Sequence, residues 1–194
     1  MDTDVSLLIV VNMKFSKKSV YILIFISSLI AIGILSYFLI YNILAKKRIR
    51  EIEENICRYT EIIWKYSQEY AVPTELVKSI IRIESKGDPR VVSDRNAFGL
   101  MQVTKVAEKD VIERFSIKPD DLLDPDYNIH VGVAYLRILY DKFDNHISYI
   151  LAAYHAGPSK VMEWRDKMPS GTPEEVIRTY AYDETKMYID DILK

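Results

Sequence analysis

Between Ser19 and Ala45 the chain carries no charged residue, and the run VYILIFISSLIAIGILSYFLIYNIL sets 25 mostly apolar positions in succession. That length is enough to cross a hydrocarbon core of about 30 Å with some tilt. The pattern predicts one transmembrane helix over residues 20–44. The run exceeds the h-region of about 7–15 residues found in cleaved signals. No AxA-like site follows it, and Lys46, Lys47 and Arg48 close it abruptly, so it reads as an uncleaved signal anchor. Met13 opens MKFSKKSVYILIF, a natural start for such an anchor. Residues 1–12 then form a leader within an N-terminal segment, 1–19, expected on the cytoplasmic side.

Beyond the span the apolar positions take up helical spacing. Ile49, Ile52, Ile56, Tyr59, Ile63 and Tyr66 recur at threes and fours. This predicts a helix running on through a juxtamembrane stretch, 45–56, into a domain over 57–194, and ending before Pro73. Pro73 fits the first turn of the next helix, with Glu75 close behind where the helix dipole favours an acid. Gly, Pro, Ser, Asp and Asn residues over 86–97 predict a loop, and a helix is expected from about Gly99 to Ile112. Asp124 caps Pro125 at the start of a central helix with Ile129, Val133, Leu136 and Tyr140 on its inner face. A short apolar helix, ISYILAAYHA, stops at Gly157; another begins at Pro158; one or two more fill PEEVIRTYAYDETKMYIDDIL. No segment has a convincing period of two and none repeats, so the fold class is all-α, preceded by one transmembrane helix. Most of the 14 tyrosines are expected to pack between helices.

Charge narrows the range of partners. Residues 51–194 hold 19 Lys and Arg against 26 Asp and Glu, a net of −7, with no basic stripe to follow phosphates; nucleic acid is not expected. A single cysteine, Cys57, excludes an internal disulfide and a thiolate metal cluster, and it reads as a small apolar residue on a helix. His130, His146 and His155 lack metal-ligand spacing, so no metal or other cofactor is expected.

One acid stands out against this pattern. In PTELVKSIIRIES, Leu76, Ile80 and Glu84 fall four apart on one helical face, so a carboxyl continues an apolar stripe. Burial disfavours its charged form. Gly87 and Pro89 end the helix just beyond, and the negative end of its dipole pushes the same way, so the Glu84 pKa should be raised. An acid still protonated near neutral pH is what cleavage of a glycosidic bond needs, because the leaving oxygen must receive a proton. Ser93 and Gln102, nine and eighteen residues on, are short neutral donors and acceptors. Hydrolysis of such a bond usually employs two carboxylates. The sequence offers one well-placed candidate.

The motifs ES at 84–85, Pro89, Ser93, AFGLMQVT at 97–104, LLDPDYNIHVGVAYLRIL at 122–139, AAYHAGPSKV at 152–161 and YDETKMYI at 182–189 resemble the lytic transglycosylase family, the Slt-type domain with a lysozyme-like fold. The likeness covers roughly residues 57–193. It implies cleavage of the β-1,4 bond between N-acetylmuramic acid and N-acetylglucosamine of peptidoglycan, leaving a 1,6-anhydromuramoyl end. By resemblance Glu84 is the single catalytic residue, acid first and base second, and Ser93 and Gln102 contact sugar and acetamido groups. Met101 would line the groove, Tyr154 would point its hydroxyl towards the acid, and Tyr182 and Glu184 would contribute to the groove. Ser85 caps the helix or touches the loop.

Three departures from the family pattern stand out. Asn96 stands where glycine is usual and implies a positive φ that Asn tolerates. His155 replaces an asparagine and sets a titratable ring beside Tyr154, and Thr104 with Lys105 replaces a proline at a helix start. Two other readings stay open at this point: a muramidase in which Asp88 or Asp94 activates water, and an idle peptidoglycan-binding scaffold. Lys14, Lys17 and Lys18 precede the span, and Lys46, Lys47, Arg48 and Arg50 follow it, a count that slightly favours the domain on the cytoplasmic side but does not decide orientation. A wall polymer as substrate requires the domain outside the cytoplasm, as a single-pass protein of the cell membrane, and a monomer is expected.

Overall fold

The computed structural model describes residues 16–194. The leader expected over 1–12, with Met13 and Lys14, lies outside the described residues. The chain divides into two compact units after Arg48. In the first, helix α1 (Lys17–Cys57) exposes apolar side chains all round its apolar run. Its length and composition allow it to cross a membrane. Three polar side chains within the run bond back to the helix itself: Ser27, Ser28 and Asn42 donate to the carbonyls of Ile24, Phe25 and Phe38 at 2.9, 2.7 and 2.8 Å.

The second unit opens on the last turns of α1, where Ile56 is buried and Glu53 holds Arg82 through two bonds of 2.7 and 3.1 Å. The helix expected to run through to residue 70 is broken at Arg58–Tyr59, and α2 (Thr60–Glu69) follows. Pro73 takes the N-cap of α3 (Thr74–Glu84), which buries Val77, Ile80 and Ile81. Further on, α4 (Lys105–Phe115), α5 (Pro125–Lys142), α6 (Ile147–Ala156), α7 (Pro158–Lys167), α8 (Pro173–Tyr180) and α9 (Asp183–Leu193) follow among the described residues. Helix α5 is central: Ile129, Val133, Leu136 and Leu139 are fully buried, with α2, α4 and α6 packed around it. Asp124 caps it, accepting from the Tyr127 amide at 3.0 Å. Gly157 at φ 91 ends α6, and Pro158 starts α7. Thr172 and Glu175 form a reciprocal capping box on α8.

The structure corrects one stretch of the sequence reading. The helix expected from Gly99 to Ile112 starts only at Lys105 and ends at Phe115. Gly99 at φ 70 and Gln102 at φ 48 are left-handed, so the backbone folds back between them. Strands β1 (Ala97–Phe98) and β2 (Val103–Thr104) pair antiparallel, with Ala97 opposite Thr104 and Phe98 opposite Val103. Two-residue strands carry too few positions to show alternation. Thr104 explains the departure from proline at this helix start: its hydroxyl accepts from the Ala107 amide at 3.2 Å and caps α4. Thr104→Ala is therefore expected to cost about 1 kcal/mol, read from chemical denaturation.

Candidate active site

Glu84 is the last residue of α3, and its surroundings explain why the helix stops there. The Ser85 hydroxyl donates to the Ile81 carbonyl at 3.2 Å and accepts from the Gly87 amide at 3.2 Å. Lys86 and Gly87 both turn left-handed, at φ 56 and 77. Ser85 thus caps the helix and fixes the point at which the acid leaves it. Glu84 is mostly buried, and burial raises its pKa from 4.5 to about 7.

Two tyrosines lie within electrostatic reach of this carboxyl. Tyr154, from α6, donates to the Met101 carbonyl at 2.7 Å. Burial, followed by the Glu84 charge, pushes its phenol well above the usual range, so it remains a hydrogen-bond donor. Tyr188, from α9, has a buried hydroxyl outside strict hydrogen-bond geometry with any group among the described residues. It nonetheless acts on Glu84, favouring the carboxylate against the larger effect of burial. The contact is looser than a formed hydrogen bond. Removing that hydroxyl in Tyr188→Phe should raise the Glu84 pKa further, as a carboxyl-carbon NMR titration would record.

The loop between α3 and α4 is held by its own polar groups. Ser93 accepts from the Ala97 amide through its hydroxyl at 3.1 Å, and Asn96 takes φ 55, the positive value expected from its sequence position. Gln102 spends both side-chain N–H donors on the Val91 and Gly99 carbonyls, each at 3.0 Å, leaving its Oε1 as an acceptor. Asn128, fully buried on α5, donates to the Phe98 and Leu122 carbonyls at 2.8 and 2.7 Å and accepts from the Met101 amide at 2.8 Å. A Cβ on Gly99 would lie 2.5 Å from the Asn128 side-chain nitrogen, so this close approach requires glycine as much as the φ does.

Two hollows adjoin these groups. A groove of about 290 Å³ is lined by Gln102, Thr104, Tyr135, Tyr154 and His155, among others. A more open cleft of about 560 Å³ is lined by Arg95, Ala181, Tyr182, Asp183 and Glu184. Tyr182 is 56% exposed with its ring edge-to-face against buried Trp164 at 5.6 Å, and Glu184 is exposed. Thus Gln102 and Tyr154 share the groove, while Tyr182 and Glu184 share the cleft. Glu84 and Ser93 line neither of them, and Ser93 shapes the loop. Met101 departs from its expected place on the groove: its side chain is fully buried against Gly132, and only its backbone meets the site, through Tyr154. Another cavity, of about 350 Å³, is lined by Ser148, Ile177 and Ile189 among others; none of the groups around Glu84 lines it.

Sequence reasoning did not single out Tyr188 or Asn128. Tyr188 lies inside the quoted YDETKMYI motif, three residues after buried Thr185 on the inner face of α9, and that spacing was its one signal.

Fold and site together define a helical, lysozyme-like domain with a largely buried acid at the end of α3. The chain belongs to the Transglycosylase SLT domain family, whose match extends over residues 61–177. It is 32% identical over 141 residues to the soluble lytic murein transglycosylase of Escherichia coli, covering 70% of this chain and 22% of that protein. The 70 kDa soluble lytic transglycosylase structure from the same organism superposes with a TM-score of 0.65 at 30% identity, over 70% of this chain and 23% of that one. Pseudomonas aeruginosa lytic transglycosylase Slt, solved as an inactive Glu-to-Gln mutant, gives 0.63 at 27% identity, over 69% and 22% of the two chains. The chain therefore spans under a quarter of the length of these relatives.

Proposed function

We propose that this protein is a membrane-anchored lytic transglycosylase that cleaves the β-1,4 bond between N-acetylmuramic acid and N-acetylglucosamine and leaves a 1,6-anhydromuramoyl end. The observation that carries the reading is the Glu84 carboxyl, pushed to about 7 by burial with no second carboxylate among the groups that shift it. Near neutral pH such a group has a proton to give. Glu84 passes it to the leaving glycosidic oxygen as that bond breaks. The resulting carboxylate is poorly solvated and helped only by Tyr188, which makes it an effective base. It then removes the proton of the muramoyl 6-hydroxyl, whose oxygen closes on the anomeric carbon. Glu84 ends the cycle protonated. Gln102 and Tyr154 on the groove, and Tyr182 and Glu184 on the cleft, are proposed to hold the glycan, and Ser93 to act through the loop it shapes. The inactive Glu-to-Gln form of the Pseudomonas relative is consistent with this role for Glu84.

The muramidase reading is disfavoured. Asp88 and Asp94 are exposed, and Asp88 already accepts from the Arg90 amide at 3.0 Å. Mass spectrometry of sacculi digested by the full chain in detergent tests the choice: anhydro ends are one water lighter than hydrolysed ones. Reducing ends alone would assign a muramidase, and binding without soluble fragments a scaffold. We further propose that α1 is a single-pass anchor with the second unit on the extracytoplasmic side, because the polymer lies there. A reporter fused after Lys194 is expected to be active only if it functions outside the cytoplasm. The mechanism needs no second copy, since every group it uses belongs to one chain.

A further inference from the structure

We infer that His155 is a positioning residue: it bridges α6 to α9, holds the Tyr188 hydroxyl towards the Glu84 carboxyl, and so sets how firmly that acid keeps its proton. The geometry is specific. From the last turn of α6, the His155 Nδ1 lies 3.2 Å from the Thr185 hydroxyl, and the ring stacks on that of Tyr188 with centroids 4.7 Å apart and planes inclined by 30°. Thr185 is fully buried, and Tyr188 follows it by one turn on the inner face of α9. One imidazole therefore fixes two successive inward positions of that helix. Because the Tyr188 hydroxyl lacks a strict partner of its own, its aim depends on how its ring is packed.

Charge supports the assignment. His155 responds to Arg95 from the loop and to Glu184 from α9, while Glu84 faces Tyr154 and Tyr188. Burial, then Arg95, lowers the His155 pKa, which favours the neutral ring. A protonated ring stacked on Tyr188 would instead favour the Glu84 carboxylate and oppose its service as an acid. His155 also lines the groove shared by Gln102 and Tyr154, so its effect is exerted at the rim of the proposed site.

The catalytic consequence rests on the proposed role of Glu84, but the contact can be tested without it. In the full chain, the Glu84 carboxyl is titrated by NMR without substrate in the wild type, His155→Ala, His155→Asn, Thr185→Val and Tyr188→Phe. His155→Ala is expected to raise the Glu84 pKa by about half a unit or more, in the direction of Tyr188→Phe, because the anion loses its nearby donor. His155→Asn, which retains a polar reach to Thr185, should recover part of the shift, and adding His155→Ala to Tyr188→Phe should move it no further. The alkaline limb of cleavage should follow the titration. An unchanged pKa, a fall of the kind that simple entry of water gives, or full additivity with Tyr188→Phe overturns the inference. Should His155→Ala fail to fold, Thr185→Val decides: an upward shift supports the bridge, and a wild-type titration rejects it. Loss of the enzymatic reading alone would leave the titration shifts in place.

Discussion

Glu84→Gln is expected to abolish cleavage while making the domain more stable at alkaline pH. The amide has nearly the same shape but can neither give nor take the proton, and the proposed mechanism asks one residue to do both. A loss of roughly 10³-fold or more in turnover follows from general acid and base contributions of that order. In the wild type, activity should fall with rising pH through about 7, because the first step of the proposed mechanism uses the protonated acid. Above that point kcat/KM should drop about tenfold per pH unit. A variant that turns over at the wild-type rate would sink the catalytic assignment.

The stability half of this prediction has a definite sign. An unfolded glutamate loses its proton near 4.5, whereas in the fold Glu84 loses it near 7. Between those values the folded state binds more protons, so the wild type loses stability as pH rises through the window and recovers it on acidification. The full difference is on the order of 3 kcal/mol. Glutamine carries no such penalty. Denaturation curves of the two proteins should nearly coincide, as far as this group is concerned, at about pH 4 and separate progressively towards pH 8. Parallel behaviour across that range would show that Glu84 is not held in a desolvating environment.

The acid was legible in the sequence because its signal is local: Leu76, Ile80 and Glu84 share one face, and Gly87 follows. Helix boundaries at Asp124 and Gly157 were legible for the same reason, through side-chain or backbone chemistry confined to a few residues. The hairpin at 97–104 was not. Its turn depends on Gln102 in a left-handed conformation, which that residue type does not announce and which the bonds to Val91 and Gly99 enforce. Met101 was misplaced because the side chain and the carbonyl of one residue serve different purposes. The side chain fills the space over Gly132 while the carbonyl receives Tyr154, and only a tertiary contact separates the two. Tyr188 escaped notice because its relation to Glu84 joins helices a hundred residues apart in sequence.

Asn128 is expected to be the most sensitive polar position outside the acid itself. Its side chain makes three hydrogen bonds, two as donor to the carbonyls of Phe98 in β1 and Leu122 beyond α4, and one as acceptor from the Met101 amide. No other single side chain named here ties that many backbone groups of the loop to α5. Asn128→Ala leaves two carbonyls and an amide without partners in a closed space. At about 1–3 kcal/mol per stranded group, with some relief from relaxation, the loss should reach roughly 3–5 kcal/mol. For a domain of this size that lowers Tm by roughly 10 °C or more. Asn128→Asp is expected to be worse near neutral pH despite its matching shape: it keeps the acceptor for Met101 but turns lone pairs and charge towards two carbonyls. Because the Met101 carbonyl anchors Tyr154, the damage should extend to cleavage in whatever fraction stays folded, with KM and kcat both affected. Denaturant titrations of both variants test the order Asn, Ala, Asp. Equal stability of the wild type and Asn128→Ala would mean that the loop is held by Ser93 and Gln102 alone.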